Sequence, residues 1–309
     1  MGKENKTSVT EFILVGFSDH PDLQLLISVT VVLIFLMSVL GNLMFLMLVS
    51  ADPHLQKPMY FFLSNLSSLD ICNTTISLST LLHSLLTGNT LISFNLCIVQ
   101  SYFFLCGIGT EVFLLTAMAY DRYVAICDPL CYVLIMNKRA CALLATTSWI
   151  LGFLVTIPHI VFMSQFSFCE SNVINHFFCD IAALMILTCS DLLKIELMIF
   201  IEGMLVFITS FGFTLASYIS IISTILKIHS AKGRYKAFST CSSHLTIVTL
   251  FYGSLLCVYM RPISTYSSDQ GKLFSLMYTT LIPMLNPIIY SLRNEEVKKA
   301  FSNFIGLNH

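Results

Sequence analysis

Charged residues are so sparse along this chain that the gaps between them define its elements. A helix needs about 20 apolar residues to cross a bilayer core. Leu23 to Ser50 carries no charge and predicts a first spanning helix. Pro58 to Thr110 carries only Asp70, too long a run for one span. Gly88-Asn89 and Ser93 to Asn95 supply a break inside it, which gives helices 2 and 3. Ala140 to Cys169 holds helix 4, and helix 5 runs from about Glu196 to Leu226, interrupted by Glu202. Ala237 to Met260 gives helix 6 and Leu273 to Leu292 gives helix 7. The expected fold is an all-α membrane protein, a seven-transmembrane helix bundle. No internal repeat is visible, which counts against the inverted-repeat transporters.

Basic residues orient the bundle, because they collect on the cytoplasmic side. One set of helix ends carries eleven: Lys57, Arg122, Lys138, Arg139, Lys227, Lys232, Arg234, Lys236, Arg293, Lys298 and Lys299. The other carries five: Lys3, Lys6, Lys194, Arg261 and Lys272. The N-terminus is therefore expected outside and the C-terminus in the cytoplasm. Residues 1–22 form an extracellular N-terminus, 23–292 the membrane domain and 293–309 a short cytoplasmic tail. The N-terminal segment lacks the apolar core of a cleavable signal peptide, so helix 1 is expected to act as its own membrane signal. Asn5-Lys6-Thr7 fits the glycosylation pattern and falls on the outer side.

Composition agrees with a lipid solvent. Charged residues are 11% and hydrophobic residues 56% of the 309, where a soluble domain has about 25% charged. A net charge of −1 leaves no basic surface for nucleic acid. Of the cysteines, Cys97, Cys169, Cys179 and Cys189 fall on the oxidising side, an even set with three pairings open. The Cys and His spacings fit no zinc pattern, and His176 near Cys179 reads as loop packing.

A few polar residues lie at depth. Asp70 is roughly 18 Å into helix 2 from its cytoplasmic start, and Glu111 roughly 16 Å from Arg122 on helix 3. Carboxylates at mid-membrane are expensive and should not face lipid. As neighbours they repel unless a cation or a proton lies between them. Sodium held by Asp70 and Glu111 is one reading, and a shared proton with no ion is the other. Glu202, about 9 Å into helix 5, either faces a cavity or reaches back to the outer interface. Pro283-Met-Leu-Asn-Pro-Ile-Ile-Tyr290 kinks helix 7, with Asn286 able to satisfy a freed backbone group. Lys236 to Leu245 is polar for the start of a helix, as a solvated end or a partner-facing surface would be.

Asp121-Arg122 closes a long apolar run, where adjacent charges must meet water. Extended to Met118-Ala-Tyr-Asp-Arg-Tyr-Val-Ala-Ile-Cys127, the stretch resembles the end of the third helix in odorant receptors, a branch of the rhodopsin-like (class A) G-protein-coupled receptors. Other marks of that family stand in order along the chain. They are Gly41-Asn42, Pro58 to Leu66, Ser217-Tyr218, Lys236 to Leu245 and Pro283 to Asn294. The short outer loop between helices 6 and 7 resembles the airborne-odorant branch.

The resemblance implies a plasma-membrane receptor in cilia of olfactory sensory neurons, surrounded by lipid, that couples to a stimulatory or olfactory heterotrimeric G protein and raises cyclic AMP. It pairs Cys97 with Cys179 and Cys169 with Cys189. It gives activation roles to Asp121, Arg122, Tyr123, Tyr218, His244, Asn286, Pro287 and Tyr290, and matches Asp70 and Glu111 to a mid-membrane acidic pair. No cofactor is implied beyond the sodium candidate. The ligand pocket would lie in the outer half, lined by Phe104, Leu105, Ile108, Gly109, Glu202, Val206, Tyr252, Leu255, Tyr259 and Thr279. Phe104, Ile108 and Glu111 share one helix-3 face, as do Tyr252, Leu255 and Tyr259 on helix 6. Ordinary packing produces the same spacing. Such a cavity suits a small, largely apolar volatile with at most one polar group, and amines if Glu202 faces inward ionised.

Three departures from the family pattern carry expectations. Ala182-Ala183 stand where proline is usual nearby, which predicts a less rigid second outer loop. Ser210 replaces a helix-5 proline and its bulge. Asp128 and Cys131 stand where neutral or basic residues are usual. Rival classes fit poorly. A channel or transporter would line a path with polar residues, and only Asp70, Glu111 and Glu202 interrupt the spans. An enzyme would need a constellation at depth, whereas His83, His159 and His244 sit on separate helices as packed or interfacial histidines.

Overall fold

The computed structural model describes residues 9–16, 24–168, 171–189, 192–259 and 268–304. The chain is a bundle of long helices with a small sheet at one end. Helix α1 spans Gln24–Ala51, α2 Pro58–Thr87 and α3 Phe94–Cys127. After the short α4 (Tyr132–Ile135) come α5 (Lys138–Met163), the loop helix α6 (Ile181–Leu187), α7 (Leu192–Leu226) and α8 (Ala231–Tyr259). The last crossing is composite: α9 (Ser268–Leu276), a π-helical turn (Met277–Leu281) and α10 (Ile282–Arg293). Helix α11 (Glu295–Phe304) closes the described chain.

Local chemistry sets the ends. Pro58 opens α2, where its missing N–H costs nothing. Gly88, at φ 72°, ends the helix in the left-handed conformation and sends its N–H to Ser84 O. Ser93 caps α3 by accepting from Leu96 N, and Asn137 caps α5 by accepting from Ala140 N.

Among the described residues six stretches are long and apolar enough to cross a membrane: Leu25–Ala51, Phe94–Cys127, Lys138–Met163, Glu196–Leu226, Ala231–Cys257 and Gly271–Ser291. The difference from the seven expected is α2. At 30 residues it reaches roughly 45 Å, but Ser, Thr and Asn dilute its apolar character. Most of that polarity is spent within the helix. Ser64, Ser68, Thr75 and Ser77 each donate to the carbonyl one turn back.

The bundle is apolar outside, and a polar minority lies within its largely apolar interior. Leu25, Leu26, Leu33 and Leu40 of α1 and Leu205 and Ile208 of α7 are exposed, while Ser38, Asn42, Asp70, Asn73 and Thr74 are buried. Helices α3 and α5 meet backbone to backbone. A Cβ on Gly152 would lie 2.5 Å from Thr110 N and 2.8 Å from its Cα, and would overlap its Oγ1. Small residues are what permit such an approach between membrane helices.

Two features were not anticipated. Residues Glu11–Leu14 (β1) pair antiparallel with Leu91–Ser93 (β2), Phe12 opposite Ile92, and parallel with Val173–Ile174 (β3). Phe12 and Leu14 point into a cluster with Phe166, Phe168 and Ile174. The expected short tail contains a helix, α11, whose Val297 and Ala300 are buried. Its Glu296 pairs with Lys57 at 2.5 Å and accepts from Tyr60 at 2.9 Å, docking the helix on the start of α2. Asn5, Cys169 and Arg261 lie outside the described residues.

Candidate functional site: a roofed cavity above a polar core

The Cys97–Cys179 disulfide is formed and ties the loop between α5 and α7 to the first turn of α3. Two hydrogen bonds fasten the same point. Cys179 N donates to Gln100 Oε1 (3.1 Å), and Ser101 Oγ donates to Cys179 O (2.6 Å). Cys189 is also disulfide-bonded, while its expected partner Cys169 is outside the described residues.

Below the disulfide the loop turns into α6. Asp180 caps that helix by accepting from Ala182 N at 2.8 Å, and Ala182 and Ala183 lie within it. The expected loss of rigidity at these alanines is replaced by a capped turn, because alanine is the best helix former. His176 stacks on Phe177 and meets Phe178 edge-on, each at 4.7 Å. Both titratable groups are buried. Burial pushes the Asp180 carboxyl up to about 6, against hydrogen bonds from Ala182 and Ser275 that favour its charged form. Burial, with the nearby Lys272 charge, pushes His176 down to about 3.

Ile181 of this loop covers a cavity of about 150 Å³ between α3, α5, α7 and α8. Its walls are Leu105, Ile108, Gly109 and Val112 from α3, Val155, Thr156 and His159 from α5, and Ile199, Glu202, Gly203, Val206 and Phe207 from α7. Tyr252 and Leu255 of α8 complete it. Seven of the residues expected at a pocket are thus brought together: Leu105, Ile108, Gly109, Glu202, Val206, Tyr252 and Leu255. Phe104 lies elsewhere, packed on Phe178 (4.7 Å) and Tyr278 (5.6 Å). Thr279 is buried in the π turn, where its carbonyl meets Thr74 Oγ1 at 3.5 Å. Tyr259 belongs to α8, but its side chain is outside the described residues.

Sequence reasoning missed the α5 wall. His159 reads as a packed histidine from sequence, yet it faces the cavity, with Nδ1 3.8 Å from Glu202 Oε2. The signal was a histidine three residues from Thr156 on the helix face opposite Gly109. Without the Gly109–Gly152 approach, where a Cβ on Gly109 would meet Gly152 Cα at 3.2 Å, that face could not be chosen. Ser210 leaves α7 regular and donates to Val206 O at 2.6 Å.

Tyr252 connects the cavity to the polar core. Phe207 and Phe211 hold its ring at 5.4 and 5.3 Å, and its hydroxyl sits beside Thr116, Ser210 and Thr214 within electrostatic reach of Glu111. Glu111 in turn feels Asp70, and both are buried. Asn286 Nδ2 donates to Asp70 Oδ2 at 2.8 Å. This corrects the expected role of Asn286 as a filler of freed backbone groups. Pro287 has no N–H to give Pro283 O, and Asn42 Nδ2 supplies it instead at 2.9 Å while also bonding Ser38 O. Gly41 makes the approach possible, since a Cβ there would press on Pro287 Cγ at 3.2 Å. Gly107 does the same for Asn73, whose Cγ would lie 2.5 Å from an added Cβ.

At the far end Arg122 Nη2 meets Asp121 Oδ2 at 3.4 Å, and Tyr132 of α4 donates to Asp121 Oδ1 at 2.9 Å. Tyr218 of α7 and His244 of α8 are joined at 2.6 Å with rings nearly parallel. The Arg122 charge reaches Tyr218, His244 and Tyr290. Tyr123 is half-exposed and stacks on Tyr120. Asp128 and Cys131 sit in the following turn, where the Asp128 carboxylate raises the Cys131 thiol. Among the described residues no cluster of three His, Cys, Asp or Glu could hold a metal ion.

A family profile described as olfactory receptor matches residues 31–306. Similar proteins include human olfactory receptor 8H1, 46% identical over 97% of this chain and 96% of that protein. Human olfactory receptor 6C3 is 44% identical, covering 97% of each chain. Mouse olfactory receptor 5AR1 is 45% identical over 99% of each. This is a receptor family rather than an enzyme family, and with the apolar helices it marks a multi-pass membrane protein. The chain belongs to the olfactory receptor family.

Proposed function

We propose that this protein is an odorant receptor that holds a small, mostly apolar volatile in the cavity beneath Ile181 and activates a stimulatory or olfactory G protein to raise cyclic AMP. The observation that carries the reading is a line of buried polar groups within electrostatic reach of one another, from the cavity through Tyr252, Glu111 and Asp70, which Asn286 binds, towards Tyr290 and Arg122. Helix α2 is the seventh span in this reading. The basic residues place the disulfide end outside and the Arg122 end and α11 in the cytoplasm. Membership of the olfactory receptor family supports the ciliary membrane of olfactory neurons as its location.

The cavity supports the ligand class. A partly open apolar space of about 150 Å³ accepts a benzene-sized body. A ligand burying about 200 Å² there gains about 5 kcal/mol, so binding is weak. Only stronger binding to the signalling state than to the resting one activates. In the resting state Arg122 is held by Asp121, which Tyr132 in turn orients. In the signalling state it turns to the transducer, with Tyr218 and Tyr290 supporting it and the Tyr218–His244 contact released as α8 moves. Asn286 and Pro287 provide the bend that lets α10 follow.

Sodium between Asp70 and Glu111 completes the proposal. Two buried carboxylates, with Glu111 Oε1, Asn73 Oδ1 and Asn286 Oδ1 lacking hydrogen-bond partners, form an oxygen-rich donor set suited to a hard cation. Sodium-dependent agonist affinity that vanishes in Asp70→Asn is expected, and a parent receptor insensitive to sodium would refute the ion. The function itself is tested by cyclic AMP responses of cells expressing the chain to a volatile panel, with an Arg122→Ala control matched for surface expression.

A further inference from the structure

We propose that the cavity selects ligands bearing one hydroxyl, an alcohol or phenol, whose oxygen sits between His159 of α5 and Glu202 of α7. The proposal rests on the odorant-binding reading of the same cavity and names its ligand chemistry. Four polar side chains line the space. Thr156 Oγ1 donates to Gly152 O at 2.8 Å. The Tyr252 hydroxyl lies beside Thr116, Ser210 and Thr214, away from His159 and Glu202, and has no hydrogen-bond partner of its own. His159 and Glu202 are the two that approach each other at the cavity wall.

Their separation is informative. His159 Nδ1 and Glu202 Oε2 are 3.8 Å apart, too far for a direct hydrogen bond. His159 Nδ1 is buried with no hydrogen-bond partner, a condition that costs free energy until something fills it. One oxygen at about 2.8 Å from both atoms would subtend roughly 85° between them, an angle that a hydroxyl oxygen accommodates.

Hydroxyl is favoured because it both donates and accepts. If Glu202 is a carboxylate and Nδ1 carries the proton, the hydroxyl donates to Glu202 and accepts from His159. If Glu202 is protonated and Nδ1 is bare, the two bonds reverse. An aldehyde, ketone or ether only accepts, so one partner stays unmet in either state. A hydrocarbon meets neither. An ammonium ion must be desolvated among Leu105, Ile108, Val155 and Val206, and a carboxylate ligand would meet Glu202 as a like charge. A site built to hydrogen-bond a hydroxyl rejects analogues that lack it. The 150 Å³ volume limits the body to one ring or a short branched chain.

The test uses benzyl alcohol, benzaldehyde, benzyl methyl ether, toluene and benzylamine on the full-length receptor. Ligand-induced thermal stabilisation of purified protein is read beside cyclic AMP. Parent, Glu202→Leu and His159→Phe are compared at equal surface expression. Benzyl alcohol is expected to bind the parent about 10-fold more tightly than the aldehyde, ether or toluene, the worth of one additional buried hydrogen bond. In either variant that preference should fall to within about 3-fold, with toluene binding retained. Equal binding of alcohol and ether by the parent would overturn the proposal. So would an unchanged preference in Glu202→Leu, a preference for benzylamine lost in Glu202→Leu, or no stabilisation by any probe at millimolar concentration. Alcohol-selective stabilisation without cyclic AMP would leave the hydroxyl site standing and refute the signalling reading instead.

Discussion

The two ends of the bundle are held by different physics. At the disulfide end, the Cys97–Cys179 bond, the Gln100 and Ser101 contacts, the three-stranded sheet and an aromatic cluster fix one shape around an apolar space. At the Arg122 end the cysteines are free and side-chain contacts such as Tyr132–Asp121 and Tyr218–His244 join the helices, while Arg122 Nε, His244 Nε2 and Tyr290 Oη are buried without hydrogen-bond partners. A region with satisfied backbone and covalent ties has one arrangement. A region with unmet polar groups and no covalent tie can gain by rearranging. The contrast fits a protein that recognises at one end and moves at the other.

The comparison can be broken most severely where the two ends share a wall. Gly152→Ala would drive a methyl group into Thr110 backbone atoms at 2.5 and 2.8 Å. Overpacking of this kind costs about 1–3 kcal/mol or more, and here the resisting atoms are backbone. Surface expression should collapse, as read by flow cytometry of the tagged receptor. Normal expression would mean that α3 and α5 are not in backbone contact.

Asn42→Ala sharpens the comparison at the polar core. It removes the donor that Pro287 cannot provide and leaves Pro283 O unmet, a penalty of about 1–3 kcal/mol. The expected outcome is a melting temperature lower by several degrees, while ligand selectivity at the distant cavity stays unchanged. A shift in agonist rank order would show that the two regions are less separate than the structure indicates.

The smallest effect lies in the roof. Burial raises Asp180 to about 6, above its ordinary 3.8, so folding favours its neutral form. The stability this contributes is complete below pH 3.8 and is lost as pH rises through about 6. His176 has the opposite sign: its contribution is present above 6.5 and lost as pH falls towards about 3. Asp180→Asn keeps a capping side chain and isolates the first term. The parent should gain stability relative to the variant as pH falls through about 6, in thermal unfolding of the purified protein. A pH-independent difference would show that Asp180 titrates normally.

Much of this was legible in the sequence because lipid is a strict solvent. The scarcity of charge locates α1 and α7 to within about four residues and α5 and α8 to within about six, since a buried charge without a partner is expensive. Helix α3 runs on to Cys127, well past the Thr110 at which its charge-free run ends. The same scarcity singled out Asp70 and Glu111, which do lie together. What escaped depended on distance between segments. The β1 strand is four residues long, and its partners come from residues near 92 and 173. No local pattern announces such pairing. Asn42 bonding Pro283 spans 241 positions. His159 could be placed at the cavity only once Gly109 and Gly152 had brought α3 and α5 together. Helix α11 was passed over because its polar, amphipathic pattern reads as a tail until Lys57 and Tyr60 are seen to receive it.

The central claim is that events at the roofed cavity are read out at Arg122. The most direct measurement is the cyclic AMP dose–response to an agonist from the volatile panel, in parent and Arg122→Ala receptors at equal surface density. Thermal stabilisation by the same agonist is recorded on both purified proteins. The account predicts that Arg122→Ala abolishes or sharply weakens the cyclic AMP response while ligand stabilisation persists. An undiminished response in Arg122→Ala would contradict it.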